Sequence, residues 1–210
     1  MQHQFIVIEG PIGVGKTSLA RRLAASTGAG LLRDPEADNP FLETFYNAAG
    51  ACALHTQLDF LIRRYEALEA LADEDFSQPL VSDFLFAKDR LFAELTLNDD
   101  ELWIYDKVRA RLNAELPEPD LLIYLQATPE TLMDRIEIRG VGFEQRMASG
   151  YLQRLTDAYS NFFHDYAASP LLIVNTSDIN FVDNQKDYDD LLEQIGEITA
   201  GRHFLNPLPA

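Results

Sequence analysis

Gly10 to Thr17 read Gly-Pro-Ile-Gly-Val-Gly-Lys-Thr, and this run carries the strongest chemical signal in the chain. Gly10, Gly13 and Gly15 allow main-chain N–H groups around Val14 and Ser18 to converge on one point, where they can hold phosphate oxygens. Lys16 would bridge the β- and γ-phosphates of ATP, and the Thr17 hydroxyl would coordinate Mg²⁺. The pattern becomes a mechanism only between a strand and a helix. Phe5–Ile8 is a short apolar run of strand type, and Thr17–Ala25 shows helical spacing at Leu19, Leu23 and Ala24. The residue types and their context point to phosphoryl transfer.

An acceptor needs carboxylates of its own. Asp34 follows the Leu31-Leu32 strand and Asp83 follows the Leu80-Val81 strand. In an open parallel sheet, ligands bind beyond the carboxyl ends of the strands, so both should arrive beside the glycine loop. One carboxylate near the attacking hydroxyl and another holding the metal, directly or through water, is what transfer to an alcohol requires. Arg135 and Arg139 share a helix face just before Gly140 and Gly142, which suits a lid over about residues 135–150. Gln57, Leu61 and Arg64 form one helical stripe, and an amide that donates and accepts at once matches a nucleobase edge.

These residues must be placed by a regular scaffold. Apolar runs at Phe5–Ile8, Gly30–Leu32, Pro79–Val81, Leu121–Leu125 and Leu171–Val174 are separated by helical patterns, which predicts an α/β fold with a five-stranded parallel sheet covered on both faces. The helical stretches are Leu42–Ala49, Ala53–Ala72, Ala87–Leu95, Asp99–Leu112, Pro129–Glu137, Tyr151–Ala167 and Tyr188–Ile198. Thr128 before Pro129 has the form of an N-cap followed by proline in the first turn. The tail from Gly201 to Ala210, with two prolines, is expected to lie as a loose strap. A single domain over residues 1–210 is expected, because no linker interrupts the chain.

Composition excludes other classes. The net charge of −17 and only four Lys argue against a nucleic-acid polymer as partner. No apolar run approaches the roughly 20 residues that cross a bilayer, and no basic leader precedes the first strand, so no membrane partner and a cytoplasmic protein are expected. Cys52 alone cannot form an internal disulfide or a thiolate metal cluster, which leaves oxygen ligands for any metal.

Several segments together resemble the deoxynucleoside kinase family, especially its bacterial deoxyadenosine/deoxyguanosine kinase branch. They are Gly10–Ser18, Asp34-Pro35, Asp38–Leu42, Phe45-Tyr46, Thr56-Gln57, Ser82-Asp83, Lys88–Arg90, Arg135–Gly140, Glu144-Gln145 and Tyr151-Leu152. The resemblance implies a three-layer P-loop fold with strand order 2-3-1-4-5. It places Asp34 at the catalytic base, Tyr46 and Glu144 at the 3′ hydroxyl, and Gln57 at the base. Arg64 and Asp89 match a polar pair that accepts purines or deoxycytidine, Asp83 the acidic group near the metal, and Arg135 and Arg139 lid arginines. Asp178 and Phe181, within Thr176–Phe181, are expected to border the adenine of ATP. A homodimer through the Leu42–Ala72 helices is expected from the resemblance alone.

Three positions depart from the family pattern. Asp34 stands where glutamate is usual, which leaves Glu36 as an alternative base. Phe84 replaces an arginine, so phosphate and hydroxyl contacts would fall to Arg90, Arg64 or the lid. Val141 replaces a third lid arginine. The expected reaction is transfer from ATP·Mg²⁺ to the 5′ hydroxyl of a deoxynucleoside, with deoxyadenosine or deoxyguanosine preferred. A nucleoside monophosphate kinase and a nucleotide sensor without turnover are the alternatives; the first needs extra cations for an acceptor phosphate, and the second would bind ATP without releasing ADP.

Overall fold

The computed structural model describes residues 2–47, 50–72, 78–112, 115–141, 149–177 and 179–206. Within them six strands form one sheet: β1 (Phe5–Glu9), β2 (Gly30–Leu32), β3 (Leu80–Ser82), β4 (Leu121–Gln126), β5 (Leu171–Asn175) and β6 (Arg202–Leu205). Their order is β2-β3-β1-β4-β5-β6, and every pairing is parallel. The helices are α1 (Lys16–Thr27), α2 (Leu42–Asn47), α3 (Ala53–Ala72), α4 (Lys88–Thr96), α5 (Asp99–Arg109), α6 (Pro129–Arg139), α7 (Ser149–Asp165) and α8 (Gln185–Glu197). A single 3₁₀ turn spans Pro35–Asp38.

The expected order 2-3-1-4-5 is present, but the strand count is corrected from five to six. The segment from Gly201, expected as a loose strap, contributes β6, with Leu171 N–H donating to Gly201 O at 2.9 Å. The four residues Arg-His-Phe-Leu alternate between exposed and half-buried. An edge strand of this kind has one side to pack, so it lacks the continuous apolar run that marks an inner parallel strand.

The inner strands bury both faces. Ile6, Ile8, Leu121, Ile123, Leu125, Leu172 and Val174 join one core with Leu19 and Leu23 of α1, Leu132 and Ile136 of α6, and Leu191 of α8. Phe5, Val7, Leu122, Tyr124, Leu171 and Ile173 join a second core with Leu91 of α4 and Leu155, Tyr159 and Phe163 of α7. This is the strand period of two, with alternate residues serving opposite layers. A third cluster, Leu61, Ala93 and Tyr105, fastens α3 to α4 and α5.

The strand order reverses about β1, so the chain leaving β1 sits at a topological switch point. Register brings the other carboxylates there. Val7 and Leu32 both lie opposite Ser82, and Asp83 N–H donates to Leu32 O at 3.2 Å. Asp34 and Asp83 thus leave neighbouring strands at the same edge. On the far side, Thr128 caps α6 by accepting Thr131 N–H at 3.3 Å, Pro129 fills the first turn, and Gly140 at φ 73° ends the helix.

Candidate active site

The glycine loop has no room for side chains at two positions. A Cβ on Gly10, at φ +154°, would lie 2.3 Å from Leu125 O; one on Gly13, at φ +82°, would lie 2.9 Å from Leu132 O and from Ile136 Cγ1. Gly15 adopts φ 104° and caps the N-terminus of α1, whose unpaired N–H groups and positive dipole end face the loop. Lys16 Nζ folds back onto Gly10 O at 2.7 Å and Pro11 O at 3.1 Å. Burial lowers its pKa; Glu9 opposes that shift and Lys88 adds to it. Gly13 to Ser18, Asp34, Asp83, Arg135, Arg139 and Phe181 line a cavity of about 740 Å³. A cradle that a Cβ would fill, beside a half-buried ammonium and a cavity of this size, fits a nucleoside triphosphate.

Thr17 Oγ1 donates to Asp83 Oδ2 at 2.6 Å, and Asp83 Oδ1 accepts Asp34 N–H at 2.6 Å. A hydroxyl and a carboxylate at the root of a phosphate cradle are the hard oxygen donors that suit Mg²⁺, which takes few protein ligands and completes its shell with phosphate and water.

Asp34 lies in a buried ionic cluster. Its Oδ1 accepts Arg64 Nε at 2.9 Å, and its Oδ2 accepts Arg64 Nη2 at 2.7 Å and Lys88 Nζ at 2.8 Å. Burial alone would raise its pKa, but the Arg64 guanidinium and the Lys88 ammonium outweigh it and hold the carboxyl well below the usual range. Arg64 also donates through Nη1 to Asp89 Oδ1 and stacks over the Phe60 ring with 4.6 Å to its centroid. Burial pushes the Asp89 pKa up against the pull of Arg64.

Beyond Asp34 the cavity continues into an arm of about 60 Å³ lined by Tyr46, Gln57, Arg64, Tyr151 and Tyr159, with Ile12, Lys16, Asp34 and Glu36 shared between the two spaces. Gln57, Leu61 and Arg64 are all buried on one face of α3, as their spacing predicts. Gln57 Oε1 and Asp89 Oδ2 are buried and have no hydrogen-bond partner among the described residues. Burial pushes the Tyr151 phenol up to about 12. Asn39 holds the Pro35–Asp38 turn against α3, donating to Thr56 O at 3.1 Å.

On the donor side, Arg135 donates through Nη1 to Thr176 Oγ1 at 3.0 Å and Val14 O at 3.4 Å, and through Nη2 to Thr176 O. It bridges α6, the loop after β5 and the phosphate loop. Phe181 is buried near Gly15, and Arg22 fixes that segment by donating to Phe181 O at 2.7 Å and Val182 O at 2.6 Å. Glu144 and Asp178 lie outside the described residues. Arg90 turns away from the site to Glu94 and Asp106, each at 3.0 Å, and Phe84 is buried in the core.

Two contributors were not singled out as site residues from the sequence. Glu9, fully buried at the end of β1, accepts Gly10 N–H and Leu85 N–H at 2.8 Å and the Tyr159 hydroxyl at 3.0 Å. Lys88 stands between Asp34 and Glu9, 3.4 Å from Glu9 Oε2. A carboxylate closing an apolar strand directly before the glycine loop is the signal for Glu9, since charged residues are seldom fully buried unless paired.

A parallel sheet with its glycine loop at the switch point, a lysine and threonine at that loop and a carboxylate across the crevice together define a P-loop phosphotransferase. The family model described as Deoxynucleoside kinase matches residues 6–200. The chain belongs to the deoxynucleoside kinase family and is an ATP-dependent kinase of a deoxynucleoside. It is 36% identical over 200 residues to a deoxyguanosine kinase of Bacillus subtilis (strain 168), covering 92% of this chain and 97% of that protein. A deoxyadenosine kinase of Lactobacillus acidophilus is 29% identical over 208 residues, with 92% and 95% covered. The solved deoxyadenosine kinase of M. mycoides with bound dCTP shares the fold, with a TM-score of 0.77 at 20% identity over 92% of this chain and 100% of that one.

Proposed function

We propose that the enzyme phosphorylates the 5′ hydroxyl of deoxyadenosine or deoxyguanosine, with ATP as donor and Mg²⁺ as metal. The observation that carries an uncharged acceptor is the pairing of Arg64, the arginine that lines the acceptor arm, with carboxylates of the chain itself. Arg63 is tied to Asp59 at 2.7 Å, Arg64 to Asp34 and Asp89, and Arg90 to Glu94 and Asp106. Arg63 and Arg90 are partly exposed, whereas Arg64 is neutralised in a buried cluster and has little to offer a second anion. A nucleoside monophosphate is therefore a poor fit, and a neutral sugar a good one.

Asp34 accepts three donors, and a carboxylate has about four acceptor positions, so one position on Oδ1 is left for the acceptor hydroxyl. A carboxylate with so low a proton affinity acts first by orienting. The loose transition state of phosphoryl transfer tolerates this, because the nucleophile need not lose its proton early. Lys16 and the arginines Arg135 and Arg139 would stabilise charge on the transferred group. Thr17 and Asp83 would hold Mg²⁺, which when bound neutralises phosphate charge.

The purine preference is supported by the unpartnered acceptor Gln57 Oε1 on the acceptor arm, which suits a base edge that donates an N–H group, and by likeness to proteins named for deoxyguanosine and deoxyadenosine. The arm is narrower than a nucleoside, so acceptor binding entails its opening. The helix α2, which brings Tyr46 and has no buried residue, is the element suited to move. Glu144 is assigned with Tyr46 to the 3′ hydroxyl, Asp178 and Phe181 to the adenine of ATP, and residues 135–150 to a lid. A homodimer through the Leu42–Ala72 helices is in keeping with exposed Ile62 on α3 beside Trp103 and Ile104 on α5. No helix among the described residues is long and apolar enough to cross a membrane, and a cytoplasmic location is part of this reading.

Initial rates with the four deoxynucleosides and with dAMP test the proposal. Highest kcat/KM on deoxyadenosine or deoxyguanosine is expected; preferred turnover of dAMP, or ATP binding with no ADP release on any acceptor, would overturn it.

A further inference from the structure

Lys88 opens α4 with its side chain only 4% exposed, and it reaches two carboxylates: Asp34 Oδ2 at 2.8 Å and Glu9 Oε2 at 3.4 Å. Both carboxylates have other donors as well, so Lys88 does more than supply a counter-charge. Asp34 already holds the Arg64 fork, and Glu9 already accepts two main-chain N–H groups and the Tyr159 hydroxyl. Taking an ammonium out of water is costly, and a buried pair is often worth no more than an apolar contact of the same size. Its service is thus better sought in geometry than in stability.

The geometry is specific. The Arg64 fork gives one N–H to each Asp34 oxygen and treats the two alike. Lys88 then takes a second position on Oδ2 alone, so the position left open belongs to Oδ1. The two oxygens of a carboxylate are equivalent, so what these unequal donors fix is the place of the open position and the tilt of a group that otherwise rotates in a broad well. Through Glu9, whose Oε1 accepts Gly10 N–H at 2.8 Å, the same ammonium is tied to the root of the phosphate loop.

We propose that Lys88 is a positioning residue for phosphoryl transfer: it fills one side of the Asp34 carboxylate so that the open position faces the acceptor hydroxyl, and it sets that carboxylate relative to the phosphate loop. The proposal rests on the reading of Asp34 as the group facing that hydroxyl. Lys88 stands in the wall of the acceptor arm, but its ammonium is committed to Asp34 and Glu9, and on this proposal it acts through Asp34. Its loss therefore slows the step that needs alignment and leaves the binding of ATP and nucleoside largely as it was.

The test is a cycle of Lys88→Met, Asp34→Asn and the double variant, assayed with ATP and the preferred deoxynucleoside, with folding checked by thermal melts. Lys88→Met is expected to lower kcat about tenfold to a hundredfold, in the range that misalignment costs, with both KM values within about twofold. The double variant is expected to be as slow as Asp34→Asn and no slower, because a residue acting through Asp34 adds nothing once that carboxylate is gone. Wild-type kcat in Lys88→Met would overturn the proposal. So would a double variant slower than Asp34→Asn by the full Lys88→Met factor. If Lys88→Met does not fold, Lys88→Gln takes its place, alone and combined with Asp34→Asn, and the same two outcomes decide. Wild-type turnover in Asp34→Asn would instead overturn the reading of Asp34 itself, a failure distinct from the other two.

Discussion

Asp83 accepts the Thr17 hydroxyl at 2.6 Å through Oδ2, while its Oδ1 takes the amide of Asp34. One carboxylate thus spans the metal side of the crevice and the backbone that carries the acceptor-side aspartate. The Asp83→Asn substitution keeps the shape and removes the charge. It is expected to lower kcat by about a hundredfold to a thousandfold, the usual cost of losing an electrostatic stabiliser, and to raise the magnesium concentration for half-maximal rate. Initial rates against total magnesium check both; an unchanged magnesium dependence would speak against Asp83 as a ligand.

Gly10→Ala places a methyl group 2.3 Å from Leu125 O at a φ of +154°. Strain of this sort costs about 1–3 kcal/mol. The expected result is a lower unfolding midpoint in urea together with weaker ATP binding by calorimetry. Gly28→Ala meets open space, although at a positive φ of +70°, and is expected to leave ATP binding intact, which separates the cradle from mere glycine conformation.

Gln57 presents a buried, unpartnered oxygen on the acceptor arm. Gln57→Leu removes the donor and the acceptor together. KM for the deoxynucleoside is expected to rise about tenfold, the worth of a hydrogen bond or two, while KM for ATP stays within about twofold. A matching rise for ATP would place Gln57 outside the base site.

The buried ions make stability depend on pH at both ends. Asp34 has its folded pKa depressed, so its contribution is complete above its unfolded value of about 3.9 and is lost as pH falls through the folded one. Lys88 has its folded pKa raised by Asp34 and Glu9 against burial, so its contribution is complete below its unfolded value of about 10.4 and is lost as pH rises through the folded one. Thermal melts should show a plateau between these limits. The acid decline should be shallower in Asp34→Asn, and an identical slope would contradict the linkage.

The phosphate cradle was legible because its parts are contiguous: Gly10 to Thr17 need only a strand before them and a helix after. Asp34 and Asp83 were legible through strand ends, since parallel register brings such positions to one edge. Glu9 and Lys88 were not, because a charge that closes an apolar strand or opens a helix is ordinary until tertiary packing removes its water. The sixth strand was hidden by its own position, as Phe204 is 60% exposed and Leu205 alone of its four residues packs on the core. Arg90 illustrates the converse: its place in the sequence suggested a phosphate contact, and a partner on α5 claimed it.

No residue of α2 is buried, and Gly50 and Cys52, just before α3, have positive φ. On the proposed role of Tyr46, the sugar would be met by a helix with no buried residue, whereas Val14 of the phosphate loop is buried in the core. The base edge would answer instead to buried Gln57 on α3, so the two halves of the nucleoside would be met by elements of unequal burial and could be retuned separately.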